Sequence, residues 1–285
     1  PESHGSGAGK RLDIAGAVTV TLSLTALVFG IVQTETHGWA SPMTWVPIAA
    51  AAVLLAAFVV IELKVAETPI APLGLLRRRA LTGANIAMAC VGGSMFAMWY
   101  FVSLYLQMVL HLSPLQAGLG FIPAALLIIV GAQVAGRILP RTGPMPLLVV
   151  AGAMISGALF WMSGLTADGT YWTNILGPIS LVSLGLGISF PPGTYAAMSS
   201  VPQALAGLAS GMVNAARQIG GAIGLAILAT VAANHTAGQV AQSVAFPDAL
   251  ASGYATAIWV GGFIALGIIA AAFLIPRGKP DSVAH

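Results

Sequence analysis

The chain has 285 residues, of which 58% are hydrophobic and 7% charged, with eleven Lys and Arg against eight Asp and Glu and a net charge of +3. A mean hydropathy of +0.92 and so little charge, where soluble domains carry roughly 25%, exclude a soluble globular domain and define an integral membrane protein. Cys90 is the single cysteine, which excludes a disulfide framework or a cysteine-built zinc site. The basic balance calls for no nucleic-acid partner, because those residues sit in short loops beside apolar runs, where anionic lipid and orientation account for them.

In chain order, residues 1–11 are a polar Gly/Ser stretch read as a cytoplasmic linker, a flexible loop cut partway through a longer chain and not a signal peptide. Residues 12–63 hold two transmembrane helices, with spans near 13–33 and 45–63. Residues 64–81, which mix charge with Pro69 and Pro72, form a cytoplasmic loop and the best domain boundary. Residues 82–275 hold a six-helix bundle with spans near 82–110, 115–136, 146–165, 174–197, 204–233 and 252–275, and 276–285 form a cytoplasmic tail. The runs are apolar on all sides and of helix length, about 20 residues for a core about 30 Å thick, whereas a membrane barrel needs short alternating segments. The expected fold is an all-α polytopic membrane protein of about eight spans. Residues 35–42 and 234–251 are the expected outer connections, and Trp39, Trp45 and Trp172 fall where interfacial aromatics are favoured.

Threaded this way, ten of the eleven basic residues lie on one side: Lys10, Arg11, Lys64, Arg77, Arg78, Arg79, Arg137, Arg141, Arg277 and Lys279. Positive loops are retained in the cytoplasm, so both termini are expected inside and the protein in the plasma membrane, with the lipid bilayer as its partner. Only Arg217 departs from the pattern. It sits in the seventh span, GLASGMVNAARQIGGAIGLAI, where Gly207 with Gly211 and Gly220 with Gly224 offer two close-approach sites, and Asn214, Arg217, Gln218 and Gly221 form one polar stripe. An arginine at that depth needs protein or water around it; it either lines a transport path or pins a neighbouring helix. Every carboxylate in the chain falls near a span end or in a loop.

The third span, with MFAMWYFVSLYLQMVL, places Phe96, Trp99, Tyr100, Ser103 and Gln107 at spacings of three and four. Aromatics with a few polar handles suit lipophilic or cationic organic molecules, and Met88, Met95, Met98 and Met108 would add a deformable lining. The same residues could equally fill space between helices or face lipid. Pro123, Gly185, Gly187, Pro191, Pro192 and Gly193 inside spans serve either bending or packing.

YLQMVLHLSPLQAGLGFIP (105–123), ASGMVNAARQIGGAIG (209–224), LDIAGAV (12–18) and GWASP (38–42) together resemble segments of the fourteen-helix multidrug:proton antiporters of the major facilitator superfamily, the EmrB/QacA type. The resemblance covers nearly the whole chain and aligns its spans with helices seven to fourteen: two extra helices, then the C-terminal six-helix bundle of a partial major facilitator fold. It implies a cavity lined by the third span and by the sixth, with Pro191, Pro192 and Tyr195, and beside it the seventh with Asn214, Arg217 and Gln218. Gly136, Arg141 and Gly143 match the spacing of the family's gating loop, although Pro140 stands where its acidic residue would be. The implied activity is proton-coupled efflux of lipophilic or cationic drug-like compounds by two bundles rocking about a midplane site, protons being carried by the first six helices, which are absent here. Uptake of a small metabolite, or an inactive truncated half, are the alternatives. An enzyme is not expected: there is no HExxH, no paired membrane aspartates, and no serine in a GxSG context with a histidine at matching depth. Nothing in the sequence calls for a cofactor or a metal, and His37, His111 and His235 read as solvated histidines at outer helix ends.

Overall fold

The computed structural model describes residues 14–38, 41–64 and 78–276, which are helical with no strand among them. The expected linker, most of the 64–81 loop, the tail, Trp39 and the basic residues Lys10, Arg11, Arg77, Arg277 and Lys279 lie outside the described residues. Two compact units are present, residues 1–77 and 78–285.

The first unit is a pair of packed helices, α1 (Ile14–His37) and α2 (Pro42–Lys64). α1 runs into the segment expected as a loop, and Gly38 follows it at φ 72°, the left-handed conformation that ends helices cheaply. Small and polar groups hold the pair. A Cβ on Gly30 would stand 2.7 Å from the Ile48 side chain, Ser23 Oγ donates to Ala51 O at 2.8 Å, and Thr44 Oγ1 donates to Gly38 O at 2.9 Å. Leu22, Phe29, Val46 and Val53 are exposed, the arrangement expected where lipid, and not water, meets the helix.

In the second unit the chain forms α3 (Arg79–Leu104), a π-turn (Tyr105–Val109), α4 (Pro114–Gly120), α5 (Ile122–Thr142), α6 (Pro144–Met162), a second π-turn (Tyr171–Ile175), α7 (Leu176–Met198), a short 3₁₀ turn, α8 (Ala206–Ala241) and α9 (Phe246–Ala272). Six segments of 19 to 39 residues are long and apolar enough to cross a membrane. The span expected at 115–136 is divided. Ser113 caps α4 through Gln116, with both arms of a capping box formed, and α5 restarts at Ile122–Pro123, where proline is tolerated because first-turn amides lack helical partners. α8 continues through 234–241, expected as loop, because those turns lie against α9: Thr236 Oγ1 donates to Ala249 O at 3.3 Å and His235 Nε2 meets Ser252 Oγ at 2.9 Å. His235 is thus half-buried and bonded, not simply solvated, and Asp248 belongs to the first turn of α9.

The packing repeats. α3 lies along α8 and against α9, as α7 lies along α5 and against α6, while α6 meets α9 and α3 meets α7. Exchanging α3–α5–α6 with α7–α8–α9 regenerates the main pairings, and since successive spans alternate in direction the two triplets are inverted repeats. Small residues make the seams. A Cβ on Gly220 would stand 2.5 Å from Ala89 Cα, one on Gly224 2.6 Å from Gly93 Cα, and one on Gly152 2.7 Å from Ile269. Gly207 and Gly211 have no atom within 4 Å of such a Cβ, so only one of the two expected close-approach sites on α8 is used inside the bundle. Gly185 and Gly187 lie against α6 and α5, and Gly193 against the Met88 sulfur, so these α7 glycines serve packing.

Candidate functional site

Charge divides the second unit by height. Among its described residues the carboxylates are Asp168 and Asp248 and the Lys and Arg cations are Arg78, Arg79, Arg137, Arg141 and Arg217. Both aspartates line a cavity of about 620 Å³ with Thr166, Ser252 and Trp259 at one end. Arg78 and Arg79 line another of about 530 Å³ with Tyr195, Ser199 and Pro144, where α3 and α6 begin and α7 and α9 finish. Between the ends the described residues supply no carboxylate.

Two further features stand out. Between the last turns of α3 and the first turns of α5 lies an open apolar cavity of about 500 Å³, lined by Trp99, Ser103, Phe121, Ala124, Ala125 and Ile128, a volume suited to a drug-sized molecule. Trp99 is 40% exposed, an aromatic surface that a ligand can cover. Gln107, one turn beyond, turns inward on its own helix and donates through Nε2 to Ser103 Oγ at 2.8 Å and Ser103 O at 3.1 Å. Tyr100 packs edge-on to Phe101 at 5.3 Å.

The second feature is the outward face of α8, where Gly207, Gly211, Asn214 and Gln218 recur as an exposed stripe with Arg217 half-buried beside it. Arg217 Nη2 donates to Asn214 Oδ1 at 2.7 Å, and its guanidinium carbon stands 5.6 Å from the centre of the Phe190 ring of α7, a cation–π distance. About +2.5 to +3.5 kcal/mol attaches to an arginine at the bilayer centre, so polar surroundings are required, and a same-helix bond to an exposed asparagine pins no neighbour. Phe96 joins the two features: its ring occupies the space a Cβ on Gly221 would need, one turn from Arg217 on α8 and one turn from Trp99 and Tyr100 on α3.

Not every expected site residue gathers here. Trp99 and Ser103 line the α3–α5 cavity, and Phe96, Asn214, Arg217 and Gln218 group at the α3–α8 face, with Pro191 half-buried in α7 next to Phe190. Tyr195 lies instead at the basic end, in the cavity with Arg79 and against a core of Leu139, Leu147 and Ile188. Met88, Met95 and Met98 are at most 4% exposed and fill the bundle; only Met108 is exposed. Of the expected loop residues, Gly136 and Arg141 are exposed, and Gly143, at φ 75°, makes the turn from α5 to α6. Phe190 and the α5 wall were missed. Phe190 immediately precedes the Pro191–Pro192 pair, a positional signal; the α5 wall is uniformly apolar and carries none.

Membrane-length helices in inverted triplets, with a drug-sized cavity between two of them and a polar stripe along a third, define a multi-pass membrane protein of the transporter type and not an enzyme. Residues 9–225 match the family model of the Major Facilitator Superfamily, and the chain belongs to that family. It is 41% identical to the cephamycin export protein CmcT of Amycolatopsis lactamdurans over 96% of this chain and 56% of that protein. It is 31% identical to the puromycin resistance protein pur8 of Streptomyces alboniger over 94% of this chain and 54% of that protein, and 33% identical to the tetracenomycin C resistance and export protein of Streptomyces glaucescens over 85% and 43% respectively. The chain spans about half the length of these curated relatives.

Proposed function

We propose that this chain is the C-terminal part of a plasma-membrane exporter of lipophilic, drug-like compounds, driven by proton antiport. One observation carries the reading. α5 and α8, equivalent in the two repeats, are the least enclosed spans of the bundle, and α8 turns Asn214 and Gln218 outward where lipid satisfies neither. A path lined by protein and water on that face, beside the Trp99 cavity, accommodates both. Relatives named for export and resistance support the direction of transport. The proton carrier belongs to helices outside this chain, since the described mid-height residues contain no carboxylate, and the basic end with Arg78, Arg79, Arg137 and Arg141 faces the cytoplasm.

The test is efflux of a fluorescent lipophilic compound from cells expressing this chain alone or fused to six upstream helices of a relative, with and without a protonophore. Export by the fusion that the protonophore stops supports the reading. Accumulation instead of export assigns uptake, and no movement by either protein refutes transport of such compounds.

A further inference from the structure

We infer that Arg217 is the counter-ion for a carboxylate-bearing substrate, so that the compound carried is an organic acid with an aromatic or apolar body. The inference deepens the export reading and rests on it.

Depth comes first. Arg217 is eleven residues beyond Ala206, the start of α8, which at 1.5 Å per residue is about 16 Å along the helix, near the middle of a hydrocarbon core about 30 Å thick. A charge held there needs a partner. Of its five N–H donors, the guanidinium spends one on Asn214 Oδ1, and its central carbon lies 5.6 Å from the centre of the Phe190 ring; no other protein acceptor is within bonding distance among the described residues. Asn214 is itself exposed, so this bond orients the guanidinium without tying α8 to another helix. A planar fork steadied by an amide on one nitrogen and by a nearby ring keeps donors free to receive a planar, bidentate oxyanion. Among the described residues of the bundle, Arg217 is also the one Lys or Arg away from the basic end, and Asp168 and Asp248 lie at the opposite end, so nothing on the described face competes for it.

The surroundings define the rest of the ligand. One turn along α8, Gly221 receives the Phe96 ring, and one turn along α3 from Phe96 stands Trp99, at the mouth of the apolar α3–α5 cavity. An acid whose carboxylate meets Arg217 lays its apolar body over this aromatic row. A cation placed there would face like charge with no carboxylate among the described residues to offset it, so the chemistry opposes the lipophilic cations that the aromatic face alone suggested.

The test uses the full chain in nanodiscs of neutral lipid, with 2-naphthylacetate and its neutral amide titrated calorimetrically against empty nanodiscs. The expected result is acid binding at least about tenfold tighter than amide, the scale of one charge-assisted hydrogen-bonded pair. In Arg217→Gln the gap should collapse to within about twofold, and Arg217→Lys should keep part of it, since lysine holds the charge without the fork. Helix content and elution volume check folding, and Arg217→Lys carries the comparison if the glutamine variant does not fold. Equal binding of acid and amide by the unaltered chain overturns the role of Arg217 while leaving the cavity intact. A gap that survives Arg217→Gln overturns it too and moves the anion site to Arg78 and Arg79. Absence of binding by either compound refutes the substrate path itself. If fusion to the upstream helices abolishes the acid preference, Arg217 belongs to an internal ion pair and the inference falls.

Discussion

Replacing Gly220 by alanine tests the account of the α3–α8 seam. A Cβ at Gly220 stands 2.5 Å from Ala89 Cα and 2.6 Å from Ala89 C. Ala89 O lies nearer still, and ordinary contact begins at 3.4 Å, so the helices must part locally by about 1 Å or more, because the obstructing atoms are backbone and cannot rotate away. A gap of that size forfeits about a quarter to a half of the dispersion energy of each contact it opens, and overpacking of this kind typically costs about 1–3 kcal/mol. Gly211, on the same helix, is the control. No atom lies within 4 Å of its Cβ position, so alanine there brings no clash and gains up to about 1 kcal/mol of helix propensity. At roughly 2–4 °C per kcal/mol for a chain of this size, Gly220→Ala should lower the melting temperature of the detergent-solubilised protein by about 2–12 °C, followed by circular dichroism at 222 nm, and Gly211→Ala should leave it unchanged or raise it. Equal losses from both, or no loss from Gly220→Ala, would refute the assignment of this glycine pair to the seam.

Three further outcomes follow from named contacts. Tyr105, fully buried, donates its hydroxyl to Thr166 O at 2.7 Å; Tyr105→Phe should cost about 0.5–1.5 kcal/mol, read as a lower melting temperature with helix content unchanged. Ser113→Ala removes one arm of the α4 capping box and should cost about 1 kcal/mol, read as faster amide exchange over 114–120 while α6 and α9 stay protected. Trp99→Ala removes an exposed wall of the α3–α5 cavity and should weaken 2-naphthylacetate binding several-fold without lowering the melting temperature; unchanged affinity would remove that cavity from the substrate path.

Long apolar runs are legible because a bilayer demands them, so the order and type of the spans could be read from sequence. The faces could not. α6 and α7 are apolar all round, and no pattern tells Met88, Met95 and Met98, which are buried, from Met108, which is not. Gly207/Gly211 and Gly220/Gly224 share one spacing and meet opposite surroundings, because the outcome depends on where α3 crosses α8 and not on α8 itself. Helix ends misled for a related reason. Hydropathy falls at residue 234, but outside a bilayer core a helix needs only its own hydrogen bonds and a neighbour, and α9 provides the neighbour. Within the candidate site, Arg217 was visible as a charge out of place, whereas its ring partner Phe190 required the fold.

The π-turn at Tyr105–Val109 bears on how this chain tolerates change. Its signature is Leu110 N–H reaching back five residues to Tyr105 O at 3.0 Å, so one residue more than an α-turn is fitted in. That surplus places Tyr105, Leu106 and Val109 inward while Met108 points out. Deleting any one of the five would restore α geometry and swing everything beyond it by about 100°, carrying Leu112 and the Ser113 cap off their bearings. Side chains in this turn are replaceable one at a time, but their number is not. The turn acts as a fixed-length spacer, so substitutions there should be read as adjustments and single-residue insertions or deletions as breaks.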